Sequence, residues 1–172
     1  MATHLIIDGY NLLGRTGKLS GPIEPARESL LRALAAYRHR KNHPITIVFD
    51  GWQQGQPVEE REHRAGVGVI YSKRGERADQ VIQGLAREYG ADCAVVSSDQ
   101  EVVRSARESG AFVMGAQEFA MKLWAAPSEG GTVHKELDMG EKEAPSRDQK
   151  KKGNPRKLPK ALRQRARQLK RF

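Results

Sequence analysis

The chain has one cysteine, Cys93, and five histidines (His4, His39, His43, His63 and His134) that show no metal-ligand spacing. A lone cysteine excludes an internal disulfide and any cysteine-rich zinc site, and its setting, Cys93-Ala94-Val95-Val96, reads as a buried strand thiol rather than a nucleophile. Long apolar runs are missing as well. Nowhere do about 18 apolar residues follow one another, and no basic stretch leads into a signal-type segment, so a cytoplasmic rather than a membrane protein is expected. A glycine-rich nucleotide motif is also lacking, since Gly66-Val67-Gly68 lies inside a strand-like run without a third glycine. That argues against a kinase or dehydrogenase. An aspartyl phosphatase would want a second acid two residues after Asp8, where Tyr10 stands.

What is present is unevenly distributed charge. Residues 142 to 172 hold 13 of the 30 Lys/Arg and 2 of the 21 Asp/Glu, a net of +11, which leaves 17 basic against 19 acidic residues, a net of −2, for the rest. A basic tail on a near-neutral domain points to a polyanionic partner, RNA or DNA before a membrane surface, because neutralising phosphates releases condensed counterions. Lys151, Arg163 and Arg167 are the tail's candidate RNA contacts. The plainer role for such an end is a solvated spacer.

Through the first 125 residues, short apolar runs alternate with helical patterns, the signature of βαβ units and a mainly parallel sheet in an α/β fold. Strands are predicted at His4 to Ile7, Ile45 to Phe49, Val67 to Tyr71, Cys93 to Ser97 and Phe112 to Met114; helices at Pro25 to Lys41, Ala78 to Tyr89, Gln100 to Ser109 and Ala116 to Trp124. Residues 53 to 66 read as a polar, glycine-rich loop. The expected organisation is a domain over 1–126, a flexible polar linker over 127–157 and a basic amphipathic helix over 158–172 that orders on its partner.

Four aspartates fall where parallel strands would deliver them to one rim: Asp8, Asp50 and Asp99 just past apolar runs, and Asp79 at the start of a helical one. Each has an ordinary structural role available: a helix cap for Asp99, turns for Asp8 and Asp50 before glycine, the macrodipole for Asp79. Caps and turns give no reason to gather carboxylates together, however, and like charges repel without a cation. Oxygen donors around an open cleft suit Mg²⁺ or Mn²⁺ and phosphodiester hydrolysis, with no protein nucleophile required. Glu76, one turn before Asp79, is a further candidate ligand, and Asn11 could hold a ligand or the scissile phosphate.

His4-Leu5-Ile6-Ile7-Asp8-Gly9-Tyr10-Asn11, Val48-Phe49-Asp50, Val69-Ile70-Tyr71-Ser72 with Glu76-Arg77-Ala78-Asp79, and Ser97-Ser98-Asp99, in that order, resemble the YacP-like branch of the NYN domain family. The resemblance covers roughly residues 3 to 125 and leaves the basic tail outside the pattern. It implies a PIN-like three-layer αβα domain and a metal-dependent endoribonuclease, with relatives associated with ribosomes. It also implies that Asp8, Asn11, Asp50, Asp79 and Asp99 form the acidic, metal-binding pocket.

Around that pocket, His63, Arg64, Lys73 and Arg74 are candidate contacts for the RNA backbone, while Trp52 could stack an unpaired base or lie as a lid on the core. Arg61 and Tyr10 read as structural. Messenger or ribosomal RNA, and the ribosome itself, are the expected partners; the oligomeric state stays open. A non-catalytic RNA- or ribosome-binding protein of the same fold is the alternative, and a toxin with a small partner protein is a third possibility.

Overall fold

The computed structural model describes residues 2–17, 21–51, 57–125 and 159–172. Trp52, Lys151 and the whole linker segment 127–157 lie outside the described residues. Two compact units are present, Met1–Ala125 and Ala126–Phe172.

The first unit is built on a six-stranded sheet of order β3-β4-β2-β1-β5-β6, with β1 at His4–Asp8, β2 at Ile45–Phe49, β3 at Glu60–Arg64, β4 at Val67–Tyr71, β5 at Cys93–Val96 and β6 at Phe112–Met114. All neighbouring pairs are parallel except β3 with β4. Helices α1 (Gly9–Arg15), α2 (Ile23–Lys41) and α5 (Ala116–Trp124) pack together on one face, and α3 (Ala78–Tyr89) packs with α4 (Gln100–Glu108) on the other. This is the three-layer α/β arrangement expected from the alternation of periods.

Burial on both faces explains the strands' continuous apolar character. Ile6, Val48, Ile70, Cys93 and Val95 join Val81, Ile82, Leu85, Val102 and Ala106 in the core beneath α3 and α4. The intervening residues, among them Leu5, Ile7, Ile47, Phe49 and Val69, are buried toward the other helices. Strand β1 is central, and the connections from β1 and β5 leave in opposite directions along the sheet, which makes the C-terminal ends of these two strands the topological switch point.

Two elements depart from the expected pattern. Helix α1 begins immediately at Gly9, where a turn was the simpler expectation, because Asp8 caps it and Leu12 and Leu13 are buried. Gly9 suits the close approach there: an added Cβ would clash with Phe49 Cε1 and lie 2.9 Å from the Val48 carbonyl oxygen. Strand β3 forms within the segment that reads as loop. Its charged sequence Glu-Arg-Glu-His-Arg carries no strand signal, but as an edge strand it is held by pairing with β4 through a two-residue turn, Ala65-Gly66, both at positive φ (51° and 80°) as a type I′ hairpin needs.

The second unit's described part is helix α6, Lys160–Leu169, preceded by Pro159 and carrying Arg163, Arg165 and Arg167 with Leu162 exposed. No described helix is long and apolar enough to cross a membrane.

Candidate active site

The acidic residues meet at the C-terminal rim of the parallel strands, on the α3/α4 side. Strand alternation puts Asp8 on the side of Ile6 and Asp50 on the side of Val48. Asp8 ends β1 and caps α1, its Oδ1 accepting from the Asn11 N–H at 3.2 Å, while Ser97 Oγ lies 3.4 Å from Oδ2. Asp50 reaches across to α3, where its Oδ1 accepts from the Ala78 N–H at 2.6 Å. Asp99 caps α4, accepting from the N–H groups of Glu101 (2.8 Å) and Val102 (3.4 Å). The capping role and the clustering are therefore both real. Each cap uses Oδ1 and leaves Oδ2 of Asp50 and Asp99 without a hydrogen bond among the described residues.

Electrostatically these groups form one neighbourhood. Asp8 is only 7% exposed, and burial, reinforced by the charges of Asp79 and Asp50, pushes its carboxyl up to about 6 despite the opposing bonds from Asn11 and Ser97. Asp79, in the first turn of α3, is also raised, by burial first; Arg77, ion-paired to it at 2.8 Å, opposes the shift, and Asp99, Asp50 and Glu101 add to it. Glu76, in the turn before α3, has a buried Oε2 with no hydrogen-bond partner among the described residues. Such an atom, desolvated and unsatisfied, is costly unless a ligand completes it.

Asn11 is tied into the same rim, its Oδ1 accepting from the Ser98 N–H at 2.9 Å, which leaves its amide NH₂ as a donor. Lys73 and Arg74 stand exposed on a turn closed by the Glu76 N–H to the Lys73 carbonyl (3.0 Å), with Gly75 at φ 83°. This turn leads into α3, which carries Asp79 in its first turn. His63 and Arg64 do not join them. Strand β3 runs antiparallel, so its later residues travel away from the rim: His63 pairs with Gly68 and Arg64 with Val67, at the opposite end of β4 from Tyr71. Arg64 is further engaged by Glu28 and by Glu62.

Three participants were missed by sequence reasoning. Glu101 adds a charge to the Asp79 environment, and the Asp99-Gln100-Glu101 spacing at a helix start was the available signal. Ser97, fully buried, connects Asp8 to the Asp99 N–H at 3.1 Å. Ser72, also fully buried, accepts from the Gly51 N–H at 3.1 Å and helps fix the turn after Asp50, where an added Cβ on Gly51 would fall inside the Ser72 carbonyl oxygen.

Among the described residues no three His, Cys, Asp or Glu side chains form a chelating group as they stand. The donor set nonetheless fits a hard divalent cation: it offers carboxylate and amide oxygens only, includes one orphaned buried oxygen, and concentrates negative charge that a cation would relieve.

The family model of the YacP-like NYN domain matches residues 5–170, through α6 and so well beyond the 3–125 span that the motifs delimit. A curated relative, the uncharacterized protein YacP of Bacillus subtilis (strain 168), is 33% identical over 88 residues, which are 48% of this chain and 51% of that protein. The aligned part thus spans about half the length of that relative. Two crystal structures of Rae1 (YacP) from Bacillus subtilis are similar in fold, each 26% identical. One, of a point mutant, has a TM-score of 0.59 with 70% of this chain and 74% of that one covered; the other has 0.54, with 72% and 74%.

Proposed function

The chain belongs to the YacP-like NYN domain family, a PIN-like nuclease-type domain, and from that premise we propose that it is a cytoplasmic, metal-dependent endoribonuclease acting on messenger or ribosomal RNA. The observation that carries this reading is the convergence of Asp8, Asp50, Asp79 and Asp99 into one electrostatic neighbourhood at the switch point of the sheet. Asp8, Asp50, Asp79 and Asp99, with Glu76, would hold Mg²⁺ or Mn²⁺, which when bound supplies a hydroxide at neutral pH and neutralises charge on the phosphoryl group.

The chain's own groups have separable tasks in this proposal. The helix amides on Oδ1 of Asp50 and Asp99 fix those carboxylates and leave Oδ2 for a cation. Asn11, anchored through Oδ1, presents its NH₂ to a phosphate oxygen. Lys73 and Arg74 take the RNA backbone at the edge of a rim that would otherwise repel it. Arg163 and Arg167 on α6, with Lys151, add sequence-independent phosphate affinity and draw the domain to structured RNA or to the ribosome.

A second reading, a non-catalytic RNA- or ribosome-binding protein, draws on the engagement of three carboxylates as helix caps. One experiment separates the two. End-labelled ribosomal and messenger RNA is incubated with the protein and its Asp8→Asn and Asp99→Asn variants in Mg²⁺, Mn²⁺ or EDTA, with and without ribosomes. Metal-dependent cuts that disappear in both variants support the nuclease. Intact RNA in every condition, despite tight binding, supports the binding protein.

A further inference from the structure

Behind the acidic rim, on the opposite face of the sheet, lies a buried cation. Arg27 of α2 is 3% exposed, and its guanidinium sits 5.5 Å from the ring centroid of Tyr10, 5.4 Å from that of Phe49 and 5.7 Å from that of Tyr71. The rings also meet one another: Tyr10 is edge-on to Phe49 (5.3 Å) and Phe49 is stacked on Tyr71 (5.8 Å). Arg27 donates to the Tyr10 hydroxyl and to Glu24 at 2.6 Å, and its Nε has no partner among the described residues. Glu24 is 68% exposed, so among the described residues the one ion-pair partner of this buried charge is itself in water.

A buried guanidinium so thinly compensated is an expensive way to fill a core. What it touches gives it a purpose. Tyr10 immediately precedes Asn11, Phe49 immediately precedes Asp50, and Tyr71 immediately precedes Ser72, which anchors the turn after Asp50. Strand alternation sends the Phe49 and Tyr71 rings to one side and Asp50 and Ser72 to the other, while Tyr10 and Asn11 are successive residues in the first turn of α1. One planar cation therefore gathers the ends of β2 and β4 and the start of α1 from behind.

We propose that Arg27 is a positioning residue, which sets the placement of Asp8, Asn11 and Asp50 by clamping Tyr10, Phe49 and Tyr71 through the thickness of the sheet. This rests on the nuclease reading for its purpose, but its geometry is testable without catalysis. Three amides report the rim directly: Asn11 N–H to Asp8, Ser98 N–H to Asn11, and Ala78 N–H to Asp50.

The test compares Arg27→Met, Arg27→Lys and Tyr10→Phe in the full chain by residue-resolved amide exchange, Mn²⁺ titration and RNA cleavage. In Arg27→Met the three rim amides lose protection while those of β1 and β5 keep it, Mn²⁺ binds about tenfold or more weakly, and kcat falls with little change in KM. Arg27→Lys, which keeps the charge but not the plane, recovers part of each. Uniform loss of protection across the sheet, or unchanged rim amides and Mn²⁺ affinity, would overturn the proposal. If Arg27→Met does not fold, Tyr10→Phe decides: the same rim-specific loss, smaller, supports positioning, and an unchanged rim refutes it. A wild-type protein that never cleaves RNA, with rim amides still responding to Arg27, would sink the nuclease and leave the clamp standing.

Discussion

The same strand ends carry opposite chemistry on their two sides. Toward α3 and α4 they present repelling carboxylates, one with its pKa pushed up to about 6. Toward α1 and α2 they present Phe49 and Tyr71 closed around a cation. A one-residue step along β2, from Phe49 to Asp50, crosses from cohesion to stored repulsion. At the rim itself, ring–cation packing lies behind the sheet and charge repulsion in front, above the apolar core that α3 and α4 cover.

That contrast can be broken from either side. The largest effect expected is on activity: Asp8→Asn should lower RNA cleavage by about 10²-fold or more in a single-turnover assay, as loss of a central electrostatic group does, while leaving the thermal midpoint equal or higher because a repelling buried charge has gone. Gly9→Ala should do the reverse in kind, losing about 1–3 kcal/mol in denaturant unfolding as its Cβ forces the Phe49 ring aside. If both substitutions cost stability and activity alike, the two sides are not separable.

Acidity sharpens the comparison further. Folded Asp8 holds its proton more tightly than the unfolded chain does, near 6 against an ordinary 3.8, so its ionised form opposes folding. The penalty is absent below about pH 4, grows between the two values and is complete above about pH 6, where it amounts to roughly 3 kcal/mol at most. Without divalent ions, unfolding free energy should therefore contain a component that rises as the pH drops from 7 to 5. Asp8→Asn should lack it, and Mg²⁺ should suppress it. Smallest of all is the expected effect of the tail on cleavage chemistry. Deleting residues 142 to 172 should change the salt dependence of RNA binding, from a log–log slope near about −4 for some six phosphate contacts to a much flatter one, with single-turnover cleavage of saturating RNA little altered.

Much of this arrangement could be read from residue order. The five parallel strands and α2 to α5 announce themselves through apolar runs and helical periodicity, and the four aspartates through their position after those runs. Helix α1 was hidden by its seven-residue length and by Asp8-Gly9, a pair that reads as a turn until Leu12 and Leu13 are seen to be buried. Strand β3 was hidden because Glu-Arg-Glu-His-Arg owes its conformation to a neighbour rather than to propensity. Its direction then carried His63 and Arg64 away from the rim to which sequence proximity assigned them. Arg27 was invisible for a different reason: in sequence it is one more charged residue on an amphipathic helix, and only tertiary structure brings it to three rings.

The central position of β1 has a consequence for how the protein comes into being. Asn11 is joined to Ser98 across 87 residues, and Asp8 to Ser97 across 89. The first strand to be synthesised must wait for the fifth before the rim can close, so the acidic cleft is among the last features of the domain to mature and long-range pairing sets its timing. A nascent chain carries Asp8, Asp50 and Asp79 well before Asp99 and β5 complete the rim. For a protein proposed to cut RNA, late assembly is a safeguard written into topology: competence arrives only when the domain is essentially whole.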